Sequence, residues 1–230
     1  GVTAIVYYDA AGRTVRTEMP DGTFSRAEFS PWHFRAWDAN DTVLESPWFA
    51  NNEGNPAWGE TDRKLPNDLK QRAAYLAKIH ANTPTETHTD SLGREVIAIA
   101  HNRWRKQVGS DIQIANEKYL SYTKLDAEGK PLWLQDARGN YVMVYARVQK
   151  AAHFQDMANV QNYVPAYDLA GNLLFQHSNE AGDRWMLPDV TGQPMYVWDF
   201  NERNTQFGAM LEHRIFYTQY DALRRPERQW

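Results

Sequence analysis

Short runs that interleave apolar and polar side chains recur along the chain. They are Thr14–Met19, Leu132–Leu134, Tyr141–Val148, Leu173–His177, Met195–Trp198 and Ile215–Tyr220. Rich in β-branched and aromatic residues, and bounded by turn residues, these runs predict short strands. One segment departs from the pattern. Leu69, Ala73, Leu76 and Ile79 follow at steps of 4, 3 and 3, which is one helical stripe. Leu65-Pro66-Asn67-Asp68 precedes it as a helix start with Pro in the first turn, and Asn82 and Pro84 stop it. The prediction is one amphipathic helix near residues 65–81, laid on a sheet. Asn51–Pro56 reads as a loop before it, and Lys150–Asn162 as a loop or short helix.

The turns between the strand-like runs repeat. Asp-x-x-Gly occurs at Asp9–Gly12, Asp90–Gly93, Asp126–Gly129, Asp136–Gly139, Asp168–Gly171 and Asp189–Gly192, where chance would place about one. A longer polar residue follows each glycine: Arg13, Arg94, Lys130, Asn140, Asn172 and Gln193. Three weaker copies start at Asp38, Asp199 and Asp221 and lack the glycine, so those turns are open to another geometry. An aromatic precedes the aspartate at Tyr8, Trp37, Tyr167, Trp198 and Tyr220. The physical reading is a hairpin turn. Asp bonds backbone N–H groups two residues on, Gly supplies a positive φ, and the aromatic ends a strand against a cross-strand neighbour. From Asp126 the aspartates step by 10, 32, 21, 10 and 22 residues, as strand-plus-turn units would. Met19-Pro20-Asp21-Gly22-Thr23 is a further hairpin signal. The twelve Asp and Gly residues of the six full tetrads are the candidate structural turn positions.

Composition narrows the class. Of the 230 residues 13% are aromatic, although the mean hydropathy is −0.70. Disordered chains are poor in aromatics, so most of this one folds. The net charge is −4, no footprint for nucleic acid. With no cysteine there is no disulfide, thiolate metal site or cysteine nucleophile. The longest aliphatic run, Val96–Ala100, falls far short of the ~20 residues of a membrane helix, so no direct membrane insertion is expected. The chain begins at Gly1 without a signal peptide and reads as an internal fragment or a processed piece.

The remaining chemistry favours structure over reaction. The histidines His33, His80, His88, His101, His153, His177 and His213 show no i, i+4 ligand pair. Asp38-Ala39-Asn40-Asp41 has the start of a calcium loop but Val43 and Phe49 stand where Gly and Glu are required. No Gly-x-Ser-x-Gly elbow or phosphate loop is present. No catalytic residue, cofactor or metal is therefore expected. Exposed aromatics could instead line a sugar groove, so the alternative is a free-standing aromatic-rich β domain that binds carbohydrate.

Tyr7-Tyr8-Asp9-Ala10-Ala11-Gly12-Arg13 resembles the YD repeat of the Rhs family, which includes the B and C subunits of bacterial insecticidal toxin complexes and the teneurins. Met19–Ser25, Pro31-Trp32 and Trp37–Phe49 resemble the region leading into the YD repeats of the toxin-complex B subunits. So do His80–Thr85 before His88–Arg94, Gly182–Pro194 and Tyr220–Pro226. The resemblance spans nearly the whole chain. It implies a mainly β fold, an antiparallel YD-repeat sheet forming a segment of a spiralling shell. Along the chain it implies a β-hairpin region over 1–50, a loop and helix insertion over 51–88, and repeat sheet over 89–230. The shell of that family encloses a toxic C-terminal segment. The implied partners are therefore the remainder of the shell polypeptide, a toxin cargo and a pore-forming toxin subunit, and the implied location is secreted, as part of a bacterial toxin. The self-cleaving site of the family contains Asp-Pro. This chain has no such dipeptide, so the resemblance carries over no catalytic residue.

Overall fold

A computed structural model of the chain describes residues 3–52, 54–55, 58–59, 61, 65–148, 163–205 and 208–230. The stretch Lys150–Asn162, read from sequence as loop or short helix, lies outside them, as does His153.

The protein is mainly β, with one large antiparallel sheet of 14 strands. The strands are β1 (Ile5–Tyr8), β2 (Thr14–Glu18), β3 (Phe24–Phe29), β4 (His33–Trp37), β5 (Thr85–Thr89), β6 (Glu95–Val108), β7 (Asp111–Leu125), β8 (Pro131–Gln135) and β9 (Tyr141–Val144). After a two-stranded ribbon of β10 (Ala146–Val148) and β11 (Tyr163–Pro165) come β12 (Phe175–Ser178), β13 (Gly182–Pro188), β14 (Pro194–Thr205), β15 (Gly208–Tyr220) and β16 (Pro226–Gln229). Neighbours in the large sheet follow chain order, with the ribbon set aside so that β9 pairs β12. β1 and β16 are its two edges. Two compact units divide at Ser121/Tyr122.

In the first unit, the helical insertion sits between β4 and β5. Ser46 caps a short helix, α1 (Pro47–Asn51), by accepting from the Phe49 amide, with Pro47 in its first turn. That Ser-Pro start is an N-terminal signal, so Asn51, expected in a loop, ends a helix instead. The second helix, α2 (Leu69–Ile79), starts later than the sequence suggests. Asp68 is its N-cap and accepts from the Lys70 and Gln71 amides, which leaves Pro66 ahead of the helix rather than in its first turn.

The stripe of α2 has the expected period but a shifted phase. Ala74, Tyr75, Lys78 and Ile79 are buried, whereas Leu69 is 79% exposed. Two polar tips set that phase. Tyr75 Oη donates to the Gly59 carbonyl at 2.9 Å, and Lys78 Nζ donates to the Trp58 carbonyl. Both residues bury an apolar stem and satisfy a polar end, a pattern that counting aliphatic residues misses. Val43, Phe49, Ala74 and Ala81 form the core beneath, with Trp58 and Ala77 against it. Arginines lie over aromatic rings on the strands: Arg16 over Phe24 at 3.6 Å, Arg13 over Phe29 at 4.4 Å and Arg26 over Trp37 at 4.7 Å.

The second unit has its own core of Leu132, Trp133, Tyr141, Val144 and Ala146, with Tyr163 packed on it. Trp198, Tyr196, Tyr217 and Trp230 stack in series at 5.9, 4.7 and 5.2 Å between ring centroids. Tyr196 and Trp198 share one face of β14 and Tyr217 faces Tyr196 from β15, so the Tyr196–Tyr217 step is cross-strand packing.

Candidate functional site

The repeated turns have one geometry. At Asp9, Asp90, Asp126, Asp136, Asp168 and Asp189 the aspartate amide donates to the carbonyl four residues on at 2.8–2.9 Å. The fourth residue's amide donates back to the aspartate carbonyl at 2.9–3.1 Å. The glycines in that fourth position, Gly12, Gly93, Gly129, Gly139, Gly171 and Gly192, have φ between 76° and 90°. A β-turn closed by a left-handed fourth residue is the type I turn with a glycine bulge, whose twist suits a hairpin.

The aspartate carboxylate fills the inside of the loop. One oxygen accepts from the amides two and four residues on, as in Asp9 with Ala11 and Arg13 at 2.9 Å each. Asp90, Asp136, Asp168 and Asp189 repeat this pair of bonds; Asp126 accepts from Lys130 at 2.8 Å. The second oxygen takes the trailing polar side chain: Arg13 at 2.7 Å, Arg94 at 2.7 Å, Asn140 at 3.2 Å and Asn172 at 2.8 Å. Lys130 turns to Glu128 instead, at 2.6 Å. At Asp189 the second oxygen goes to Arg224 of another turn.

These bonds stabilise the charged carboxylate. The carboxyls of Asp9, Asp90, Asp136 and Asp168 all lie below the usual range, held there by the amide and side chain of the trailing residue. Asp189 falls furthest, to about 2, through the Thr191 hydroxyl, then the Thr191 and Gln193 amides and the Arg224 charge.

The three degenerate tetrads part company. Asp221 closes the same loop, accepting from Leu223 and Arg225, with Arg224 at φ 62° in place of glycine. Asp38 turns the chain toward the helical insertion, accepting from the Asn40 and Asp41 amides. Asp41 bonds the Asp38 amide at 2.9 Å, and Thr83 through its amide at 2.9 Å and its hydroxyl at 2.7 Å. The carboxylates that suggested the start of a calcium loop are thus taken up in tethering both ends of the insertion. Asp199 is no turn residue: it lies buried within β14, opposite Arg184 and Arg214.

In the second unit the turns stand side by side. Lys130 Cε lies 3.4 Å from where a Gly171 Cβ would be, and Asn172 Oδ1 lies 3.2 Å from that of Gly192. Arg224 reaches Asp189. The tyrosines bind these turns together. Tyr167 Oη donates to the Pro131 carbonyl, and Tyr220 Oη to the Pro194 carbonyl, each at 2.8 Å. In both cases the tyrosine precedes the aspartate of one turn, and the proline is the sixth residue of another. Burial, with Tyr145 and Asp126 nearby, pushes the Tyr167 hydroxyl up to about 12. The sequence reading expected an aromatic contact here and missed the hydroxyl. The signal was present: proline stands sixth in Asp126–Pro131, Asp189–Pro194 and Asp221–Pro226.

The first unit also holds a hollow of about 780 Å³, lined by Arg16, Arg26, Asp38, Asp41, His80 and His101 among others. Among the described residues, no group of three or more His, Asp or Glu is placed to hold a metal ion, and no helix is long and apolar enough to cross a membrane.

No protein-family model matches the sequence, and no curated protein matches it. Solved structures do match. A chain of the Photorhabdus luminescens Tc holotoxin pore aligns over 94% of this chain at 18% identity, with a TM-score of 0.55. Chains in crystal structures of TcdB2-TccC3-TEV and TcdB2-TccC3 each align over 95% at 18% identity, with TM-scores of 0.53. This chain spans 9% of the length of each. The fold is thus one found within Tc toxin chains.

Proposed function

We propose that the chain is a segment of the wall of a YD-repeat shell, of the kind formed by the B subunit of bacterial insecticidal toxin complexes. Its role is structural. The row of turns in the second unit supports this reading best. The turns at Asp126, Asp168, Asp189 and Asp221 are each closed by their own aspartate, and a tyrosine pins the Asp168 turn to the Asp126 turn and the Asp221 turn to the Asp189 turn through a backbone carbonyl. A wall built this way grows by adding hairpins, each contacting its neighbours. The fold likeness to Tc chains supports the same reading.

In this proposal the twelve Asp and Gly turn residues hold the repeat together and none catalyses a reaction. The partners are the rest of the shell polypeptide, an enclosed toxin cargo and a pore-forming subunit, and the assembly is secreted. Electron cryo-microscopy of the intact native polypeptide tests this. The expected result is a hollow particle with these hairpins in its wall. A solid particle with no enclosed space would overturn the shell role.

A further inference from the structure

The sheet brings together two histidines that the sequence keeps far apart. His33 opens β4 and stands directly opposite His88 of β5. The Thr89 amide donates to the Trp32 carbonyl at 3.0 Å. Trp32 and Thr89 are thus a hydrogen-bonded pair, and His33 and His88 the non-hydrogen-bonded pair beside it. In an antiparallel ladder that is the pairing whose side chains approach most closely. The two imidazoles lie 5.9 Å apart between ring centroids, tilted by 33°. Both residues are half-buried. β3 and β6 flank these two strands, so the pair lies within the sheet rather than at an edge.

The ring nitrogens are left largely unused. His33 Nδ1 lies 2.6 Å from Ser30 Oγ, an oxygen held in place by the His33 amide at 2.9 Å. Ser30 Oγ also lies 3.1 Å from the His33 carbonyl. It is therefore placed to accept the Nδ1 proton while its own hydrogen goes to that carbonyl, and in this arrangement Nε2 keeps a free lone pair. His33 Nε2 and both ring nitrogens of His88 have no hydrogen-bond partner among the described residues. Half-buried polar atoms left without partners call for one from outside the chain.

We propose that His33 and His88 are the two protein ligands of a divalent late transition-metal ion, Zn²⁺ or Cu²⁺, bound on this face of β4 and β5. Imidazole is a ligand suited to both ions. Two nitrogens on one tetrahedral ion stand about 3.4 Å apart, and rings with centroids 5.9 Å apart approach that separation when their edges turn toward each other. Water fills the other positions, because among the described residues no third His, Asp or Glu joins the pair. Ser30 fixes the tautomer and ring orientation of His33, as hydrogen-bonded neighbours of metal ligands do. The next pair on the same face is Arg35 opposite Glu86. Glu86 takes Arg35 at 3.4 Å and Lys118 at 2.8 Å, so the Arg35 charge beside the site is offset. The ion would clip together the two strands between which the helical insertion leaves and returns. A search for i, i+4 histidines misses such a site, since a cross-strand pair has no fixed spacing.

The 230-residue chain is titrated with zinc chloride and with copper sulfate, and its thermal melt is followed with and without each ion. One equivalent should bind, Cu²⁺ more tightly than Zn²⁺. Either ion should raise the melting temperature, because it binds the folded state. The electron paramagnetic resonance spectrum of the Cu²⁺ form should show two coordinating imidazole nitrogens. His33→Gln and His88→Gln should each abolish the rise and the two-nitrogen signature. Ser30→Ala should weaken binding about tenfold, and His213→Gln should change nothing. Each variant is compared with itself without metal, so a change in its own stability does not enter the reading. No binding, a spectrum that His33→Gln or His88→Gln leaves intact, or an equal loss in His213→Gln would overturn the site. None of these results bears on the shell role, which is read from the native particle.

Discussion

The hydroxyl of Tyr220 donates to the backbone carbonyl of Pro194 at 2.8 Å, between residues 26 positions apart. Tyr167 and Pro131 repeat the contact at the same distance over 36 positions. At a hairpin mouth, a carbonyl facing the outer neighbour needs a donor. Where the neighbouring strand is about to turn, a tyrosine side chain supplies it in place of an amide. The tyrosine of the repeat thereby fixes which turn stands beside which.

Tyr167→Phe removes this bond and keeps the ring. The Pro131 carbonyl then loses its donor in a partly buried place. Urea unfolding should show a loss of about 1 kcal/mol, the net worth of one hydrogen bond. Tyr8→Phe, whose hydroxyl has no partner among the described residues, should leave the stability of this chain unchanged. Equal effects at the two sites would contradict the role given to the joint.

Gly139→Val isolates the backbone requirement of the turn. Gly139 has φ 84°, and a Cβ there would meet only Gln135 Nε2, at 3.8 Å. The cost is therefore conformational rather than a clash, and should be about 1–3 kcal/mol. A thermal melt unchanged by the substitution would refute it. Arg224 adopts the same left-handed φ without being glycine, and its ion pair with Asp189 offsets that strain.

Much of this was legible in the sequence, because a turn is a local object. Asp and Gly at fixed spacing determine who bonds whom within five residues, and the trailing arginines and asparagines mark the second carboxylate oxygen. Asp199 was misread because the tetrad signal was relaxed to Asp alone; without Gly, or the trailing Arg225 that keeps Asp221 in a loop, Asp199 is a strand residue. The phase of α2 was missed for another reason. Tyr75 and Lys78 are buried by contacts with Gly59 and Trp58, which no count along the helix can supply. The tyrosine–proline joint was half visible, since both motifs stand in the sequence but their pairing is a tertiary fact.

Acid should weaken the fold through the turns. The carboxyls of Asp9, Asp90, Asp136, Asp168, Asp189 and Asp221 are all lowered in the folded state. A lowered folded value means the unfolded chain binds protons more readily, so the stabilisation is full above the ordinary value of 3.8 and is lost below it. For Asp189 the loss is complete only as pH falls through about 2. Stability measured by urea should fall from about pH 4 toward pH 2. The slope should be shallower in Asp189→Ala than in the parent; an identical slope would contradict the assignment.

Asp41→Ala should loosen the helical insertion while sparing the second unit. Asp41 accepts from the Asp38 amide and from both the amide and hydroxyl of Thr83. Losing these should cost about 2 kcal/mol. Amide exchange should quicken over Leu69–Ile79 and stay unchanged over β13–β15. Uniform quickening across both regions would mean that Asp41 does not act locally.

The most direct test of the central claim is the intact mass, under denaturing conditions, of the native protein from its source. A segment of a repeat shell predicts one polypeptide many times heavier than the 26.6 kDa of this chain. A native mass near 26.6 kDa would contradict it, and would leave a free-standing β domain with two open edges.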